Sequence, residues 1–190
     1  MKPTSIYFIR HGEVHNPKAI LYGRLPNFPL STKGRERINE VADYFINKGV
    51  NQIYTSPMLR ARQTAQIIGS KLKLRPKVNH LLNEVKLIFG GIPISEYHSK
   101  IQSKLYDEEY LKKGQESVER IADRMMRFCK MIKKKYTGET LIVVSHGDPI
   151  LILQSAILKR KFTWEYKRDN YLKTGYWIKV LFEEDKWKII

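Results

Sequence analysis

Two stretches of the chain share one local pattern, FIRHG at Phe8–Gly12 and VVSHG at Val143–Gly147. In each, an apolar run passes straight into a polar residue, a histidine and a glycine. A neutral imidazole is both a nucleophile and a proton carrier near neutral pH. The glycine behind it, Gly12 or Gly147, lets the backbone and its N–H approach a ligand closely. Arg10, beside the first histidine, adds a rigid fork of donors that matches phosphate oxygens. A third stretch, SPMLRARQTA at Ser56–Ala65, offers Arg60 and Arg62 just inside a predicted helix start, where free N–H groups favour anions. Two histidines and at least two arginines at the ends of three strands would make a pocket for a phosphoryl group.

Such a pocket forms only if separate elements deliver these side chains to one place. Ser5–Ile9 and Leu141–Val144 are short apolar runs that read as buried strands, with Gln52–Thr55 a third. Asn16–Leu30, rich in Pro, Gly and Asn, reads as a loop. Ser31 or Thr32 can cap a helix with Ile38, Val41, Ala42 and Phe45 on one face, ended by Gly49. Ser56-Pro57 has the form of a cap and a first-turn proline, opening a helix with Ala61, Ala65, Ile68 and Leu72 inward. From 75 to 114 the pattern weakens to a strand near Val78, a turn at Gly90, Gly91 and Pro93, and a helix after Ser95. Val118, Ile121, Ala122, Met125, Phe128, Cys129 and Ile132 mark a long helix stopped by Gly138, and Pro149–Leu158 another. Tyr176–Phe182 and Lys186–Ile190 read as two strands around an acidic turn.

Strand and helix in alternation predict an α/β fold, a three-layer α/β/α sandwich with a mostly parallel central sheet, as one domain across residues 1–190. In such sheets ligands bind beyond the carboxyl ends of the strands, where the strand order reverses. If their strands are neighbours, His11 and His146 face each other there.

Charge is the outlying property of the composition: 35 Lys+Arg against 19 Asp+Glu give +16. That balance favours anionic partners without choosing among them. The excess is scattered, as at Lys133–Lys135 and Lys159–Lys161, and reads as a solvated basic surface. Trp164 and Tyr166 among basic residues read as packing of the last elements, so nucleic acid is not the expected partner. The single cysteine, Cys129, excludes an intramolecular disulfide and a four-cysteine zinc site. No stretch is long enough for a membrane span, and the first residues lack a signal-peptide core. The expectation is a cytoplasmic protein, monomer or homodimer, with no membrane partner. His11 and His15 flank Glu13, but the glutamate is misplaced for a zinc-protease helix and Pro17 discourages one, so no metal is expected. His80 and His98 carry no motif, and the glycines lack Walker or dinucleotide spacing.

With these motifs the chain resembles the histidine phosphatase superfamily, whose best-known branch is the cofactor-dependent phosphoglycerate mutases. The resemblance rests on RHGE at Arg10–Glu13, GRLPNFPLSTKG at Gly23–Gly34, SPMLRARQTA at Ser56–Ala65 and SHGDPI at Ser145–Ile150, in the family's order. It implies that His11 is the nucleophile that becomes phosphohistidine, and that Arg10, Arg60 and His146 hold the phosphoryl oxygens. It implies a carboxylic acid as proton donor, matched at Glu84 in HLLNEVKLIFGG, although Gly90 and Gly91 lag and no tryptophan follows. Glu96 and Glu13 stand as alternatives. Asn16 lies slightly nearer the nucleophile than the family's phosphate-contacting asparagine, and a turn through Asn16-Pro17 would deliver it. Gly23 matches a loop glycine whose backbone meets substrate, and Gly147 follows the second histidine. The variable segment 84–114 would form a cap over the site.

The implied activity is a phosphomonoesterase acting on a small phosphorylated metabolite, with no metal or cofactor. A phosphoglycerate mutase is the alternative, but that branch carries Glu-Arg-His-Tyr-Gly where this chain has Glu84-Val85-Lys86-Leu87-Ile88. A non-catalytic anion- or nucleic-acid-binding protein on the same scaffold is the third reading.

Overall fold

The computed structural model describes residues 3–190. Strands β1 (Thr4–Arg10), β2 (Val50–Thr55), β3 (Lys77–Val78) and β4 (Thr140–Ser145) run parallel. An antiparallel hairpin, β5 (Trp177–Glu183) and β6 (Lys186–Ile189), completes the six-stranded order β3-β2-β4-β1-β5-β6. The side chains of each central strand alternate between two faces, as the pleat requires. Tyr7, Ile9, Ile53, Ile142 and Val144 meet helices α1 (Thr32–Phe45) and α2 (Leu59–Leu72) through Ile38, Phe45, Ala61 and Ile68. Ile6, Phe8, Leu141 and Val143 meet the opposite layer.

That opposite layer follows two short helices, α3 (Ile94–Glu96) and α4 (Glu108–Lys112). It is built from α5 (Val118–Lys135) and α6 (Gly147–Ile157), through Ile121, Met125, Phe128, Ile150 and Leu153. Helix α7 (Trp164–Asn170) leads into the hairpin. Caps define the helix starts: Ser31 Oγ accepts from Gly34 N, and Ser117 Oγ from Arg120 N. Three lysines in the last turn of α5 oppose its negative end. Among the described residues no helix is long and apolar enough to cross a membrane.

The fold class matches the sequence reading, and the differences lie at element ends. Helix α6 begins at Gly147 and carries Pro149 inside its first turn, where no donor is needed. Helix α2 begins at Leu59 after Met58, so Ser56 is not its cap. The segment after Ser95 passes from α3 into a π turn at Tyr97–Ile101 and a tight turn at Gln102–Lys104. Tyr97, Ile101 and Leu105 form a small apolar cluster of their own with Leu21, Leu87 and Phe89. Backbone bonds from Leu21 N to Ile92 O and from Ile94 N to Ala19 O, both 2.8 Å, tie this segment to the 16–30 loop.

One topological feature positions everything that follows. The chain moves outward from β1 to β2 and β3, then returns to insert β4 between β1 and β2. Arg10 pairs with Ser145 at the end of that ladder, and His11 N still reaches Ser145 O at 3.1 Å. The next residues, His11 and His146, therefore leave the sheet side by side at the crevice.

Candidate active site

The two imidazoles lie 5.2 Å apart, ring to ring, with their planes at 64°. His11 Nδ1 is 2.8 Å from the carbonyl of Gly12. A carbonyl only accepts, so the proton sits on Nδ1 and Nε2 keeps its lone pair. That lone pair receives Arg60 Nε–H at 3.1 Å. Burial, then the guanidinium of Arg60 and that of Arg10, hold the His11 pKa well below the usual imidazole range. His11 is thus held in the neutral form, with Nε2 unprotonated and paired with Arg60.

Arg60 is 1% exposed and organises the site. One of its terminal nitrogens reaches the Gly23 carbonyl at 2.9 Å, His146 Nδ1 at 3.2 Å and Glu84 Oε2 at 3.5 Å. Tyr22 covers the guanidinium, its ring centre 4.7 Å away. Arg62, two residues along the helix and so on its other side, is exposed. Because His146 Nδ1 accepts from Arg60, its proton is on Nε2 and points to Ser56 Oγ at 2.8 Å. His146 therefore supports Arg60 and presents no donor to the cavity. Its pKa too is held well below the usual range, first by burial and then by Arg60.

Glu84 is the acid that the structure brings to these groups. Oε1 accepts from Val85 N at 2.9 Å, and Oε2 stands 3.5 Å from both Arg60 and His146. Burial raises its pKa above the ordinary carboxylate range and outweighs the opposing pull of Arg60; Asp148 raises it further. Its carbonyl accepts from Arg24 Nε at 2.7 Å, while Glu116 joins Arg24, Arg124 and Lys86 N around the same loop. The two alternative acids are elsewhere. Glu13 accepts from Ser31 Oγ on the surface, and Glu96 pairs with Lys100.

Of the residues read from the sequence, Arg10, His11, Gly23 and Glu84 line the cavity. Arg10 Nη1 donates to Leu172 O at 2.6 Å, its guanidinium stacks 4.8 Å over Tyr171, and its buried Nε has no protein partner among the described residues. An unpaired buried donor of this kind fits an anion. Arg60 and His146 stand behind His11 rather than in the wall. Asn16 is not brought to the site. Its side chain closes on Ile20, Nδ2 to O at 2.8 Å and Oδ1 from N at 3.3 Å, and so builds its own loop. Gly147 is packed on Tyr171, whose phenol a Cβ there would strike.

Several site residues escaped the sequence reading. Ser56 was assigned as a helix cap but meets His146. Asp148 lines the cavity from the motif SHGDPI, and Tyr22, Tyr97, His98 and Tyr171 complete the wall. Only Asp148 carried a signal, as an acidic residue one step beyond the second His-Gly.

His11, Glu84 and His146 also form a set of ligand atoms within 4.8 Å of one another, the composition of a metal site. Both imidazole lone pairs, however, already face Arg60. A metal would have to displace a buried guanidinium that supplies the positive charge itself.

The family model of the histidine phosphatase superfamily (branch 1) matches residues 6–190. Phosphoglycerate mutase-like protein 4 of Arabidopsis thaliana is 29% identical over 196 residues, covering 98% of this chain and 83% of that one. Among solved structures, YhfR of Bacillus stearothermophilus superimposes with a TM-score of 0.84 at 20% identity, covering 98% of this chain and 95% of the other. A phosphoserine phosphatase variant of Entamoeba histolytica, solved with phosphoserine, gives 0.82 at 22% identity and covers 98% and 94%. Both likenesses show the fold.

Proposed function

The chain belongs to the histidine phosphatase superfamily and is a phosphatase of that type, and on this premise we propose that it hydrolyses a small phosphomonoester, without metal, through a phosphohistidine on His11. The observation that carries the reading is the fixed tautomer of His11, whose unprotonated Nε2 shares one cavity with Arg10 and Glu84. In the first step Nε2 attacks phosphorus, the N–P bond forms as the ester P–O bond breaks, and the leaving oxygen takes the Glu84 proton. In the second, water gives a proton to the Glu84 carboxylate and attacks phosphorus. The N–P bond breaks, phosphate leaves, and both side chains return to their starting state.

Charge on the phosphoryl oxygens is met by Arg10 and by the N–H groups of Arg60, which exchange Gly23 O and His11 Nε2 for phosphoryl oxygen. His146 and Ser56 hold Arg60 in place for this. Residues 84–114 serve as the cap. A bisphosphate mutase would need a second set of cations, and among the described residues the cavity wall beyond Arg10 supplies no other arginine or lysine.

His11→Ala should abolish turnover while leaving the melting temperature intact, and labelled substrate should leave acid-labile phosphate on His11 of the wild-type protein. Label on serine or on His146 would overturn the assignment. Excess EDTA should leave the rate unchanged; a loss reversed by zinc or magnesium would instead place a metal at His11, Glu84 and His146.

A further inference from the structure

Beyond its phosphoryl end the cavity changes character. Leu21, Leu87, Ile94, Tyr97 and Leu105 make an apolar wall, and the acidic groups on it are Glu84 and Asp148. Asp148 takes its close hydrogen bonds on one oxygen, and the Tyr171 phenol also helps to keep the carboxylate ionised. Its Oδ2 accepts from the Tyr106 hydroxyl at 2.6 Å and from Lys167 Nζ at 2.8 Å, while Oδ1 is buried without a partner among the described residues. Lys167, which balances that charge, is 3% exposed and is not part of this wall. Arg60 is buried against His11, outside this wall, and its N–H groups are given to the phosphoryl oxygens. Arg10 is therefore the only arginine or lysine lining the cavity among the described residues, and the phosphoryl group claims it. At the mouth His98 faces Gln102, Nδ1 to Oε1 at 2.6 Å.

A carboxylate on the alcohol part of a substrate would lose water here and gain no cation in return. It would also meet the Asp148 carboxylate. An uncharged alcohol part loses nothing and covers the Leu and Ile surface. We propose that this enzyme selects phosphomonoesters whose alcohol part carries no negative charge, because the wall beyond Arg10 joins an apolar surface to Asp148 and, among the described residues, contains no second arginine or lysine. This selectivity rests on the phosphatase reading and adds the substrate class to it.

Glycerol 3-phosphate and 3-phosphoglycerate test it directly, being similar in size and differing by a hydroxymethyl group against a carboxylate. The expected kcat/KM ratio favours glycerol 3-phosphate by at least about tenfold, equivalent to about 1.4 kcal/mol, with n-butyl phosphate also ahead of 3-phosphoglycerate. Equal or better turnover of 3-phosphoglycerate overturns the proposal. Gln102→Arg places a cation on the wall and should narrow the ratio by at least about threefold, mainly through KM for 3-phosphoglycerate. An unchanged ratio in that folded variant would show that charge is not the discriminator. Calorimetric titration of His11→Ala with the same two esters should give the same order without turnover. If the phosphatase reading fails, turnover and label are absent while this order stands; if the selectivity fails, the label stands and the order is lost.

Discussion

Two effects compete at Glu84, and burial prevails over the Arg60 guanidinium 3.5 Å away. The carboxyl consequently keeps its proton to a higher pH than an exposed glutamate. His11 shifts the other way and stays unprotonated at lower pH than an ordinary imidazole. These opposite shifts widen the pH range in which the nucleophile is unprotonated while the acid keeps its proton. Alkyl phosphate hydrolysis should be fastest there and should fall as pH rises past the Glu84 value, since an alkoxide needs the proton. Aryl phosphate hydrolysis should persist to higher pH, because a phenolate leaves without one. Glu84→Gln should cost the alkyl ester about 10²- to 10⁴-fold in kcat and the aryl ester only a few-fold, and the alkaline fall should disappear. Equal losses on n-butyl and p-nitrophenyl phosphate would remove Glu84 from the role. His11 and His146 were legible because each ends an apolar strand, and Arg60 because it lies inside a helix start. Ser56 and Tyr171 were not, since their partners sit 90 and 161 residues away in sequence and no local spacing records them.

Glycines at two helix starts separate stability from function at the scale of elements. In α1, a Cβ on Gly34 would stand 2.8 Å from the backbone nitrogen of Glu13 and closer still to its carbonyl oxygen. Backbone cannot yield cheaply, so Gly34→Ala should destabilise the fold by about 1–3 kcal/mol in urea denaturation. At Gly147, the first residue of α6, the obstacle is the outer end of the Tyr171 ring, which is partly exposed and can swing. Gly147→Ala should leave the denaturation midpoint nearly unchanged but raise KM several-fold, because the displaced ring no longer backs Arg10. A large loss of stability there, with KM intact, would refute the link. The long elements were readable because their periodicity is strong, as in α5, whose Ile121, Met125, Phe128 and Ile132 all lie inside. The segment 75–114 was not: it is held by loop-to-loop bonds and short turns, whose apolar residues answer to a cluster rather than to a period. Asn16 shows the same limit, since a position read from spacing was claimed by a loop.

For the molecule as a whole, +16 is a field rather than a site. A dianionic substrate is drawn toward it, and salt screens exposed charges over about 8–10 Å near physiological strength. Raising ionic strength should lower kcat/KM several-fold while kcat changes little, because Arg60 and its neighbours are buried. A kcat/KM indifferent to salt would mean that the surface charge serves something else. The layered α/β architecture followed from alternation alone; the antiparallel edge hairpin was readable as two strands, but its pairing beside β1 was not.

The position of β1 has a consequence for how the molecule is made. It is the first strand in the chain, yet its partners are β4, beginning at Thr140, and β5, beginning at Trp177. During synthesis the segment bearing the nucleophile must wait, unpaired and apolar, until β4 and β5 have been translated. Contacts of such long sequence separation slow folding and leave β-edges open meanwhile. A nascent chain stopped before Trp177 should remain protease-sensitive and bind hydrophobic dyes, and release of the last two strands should convert it in one cooperative step.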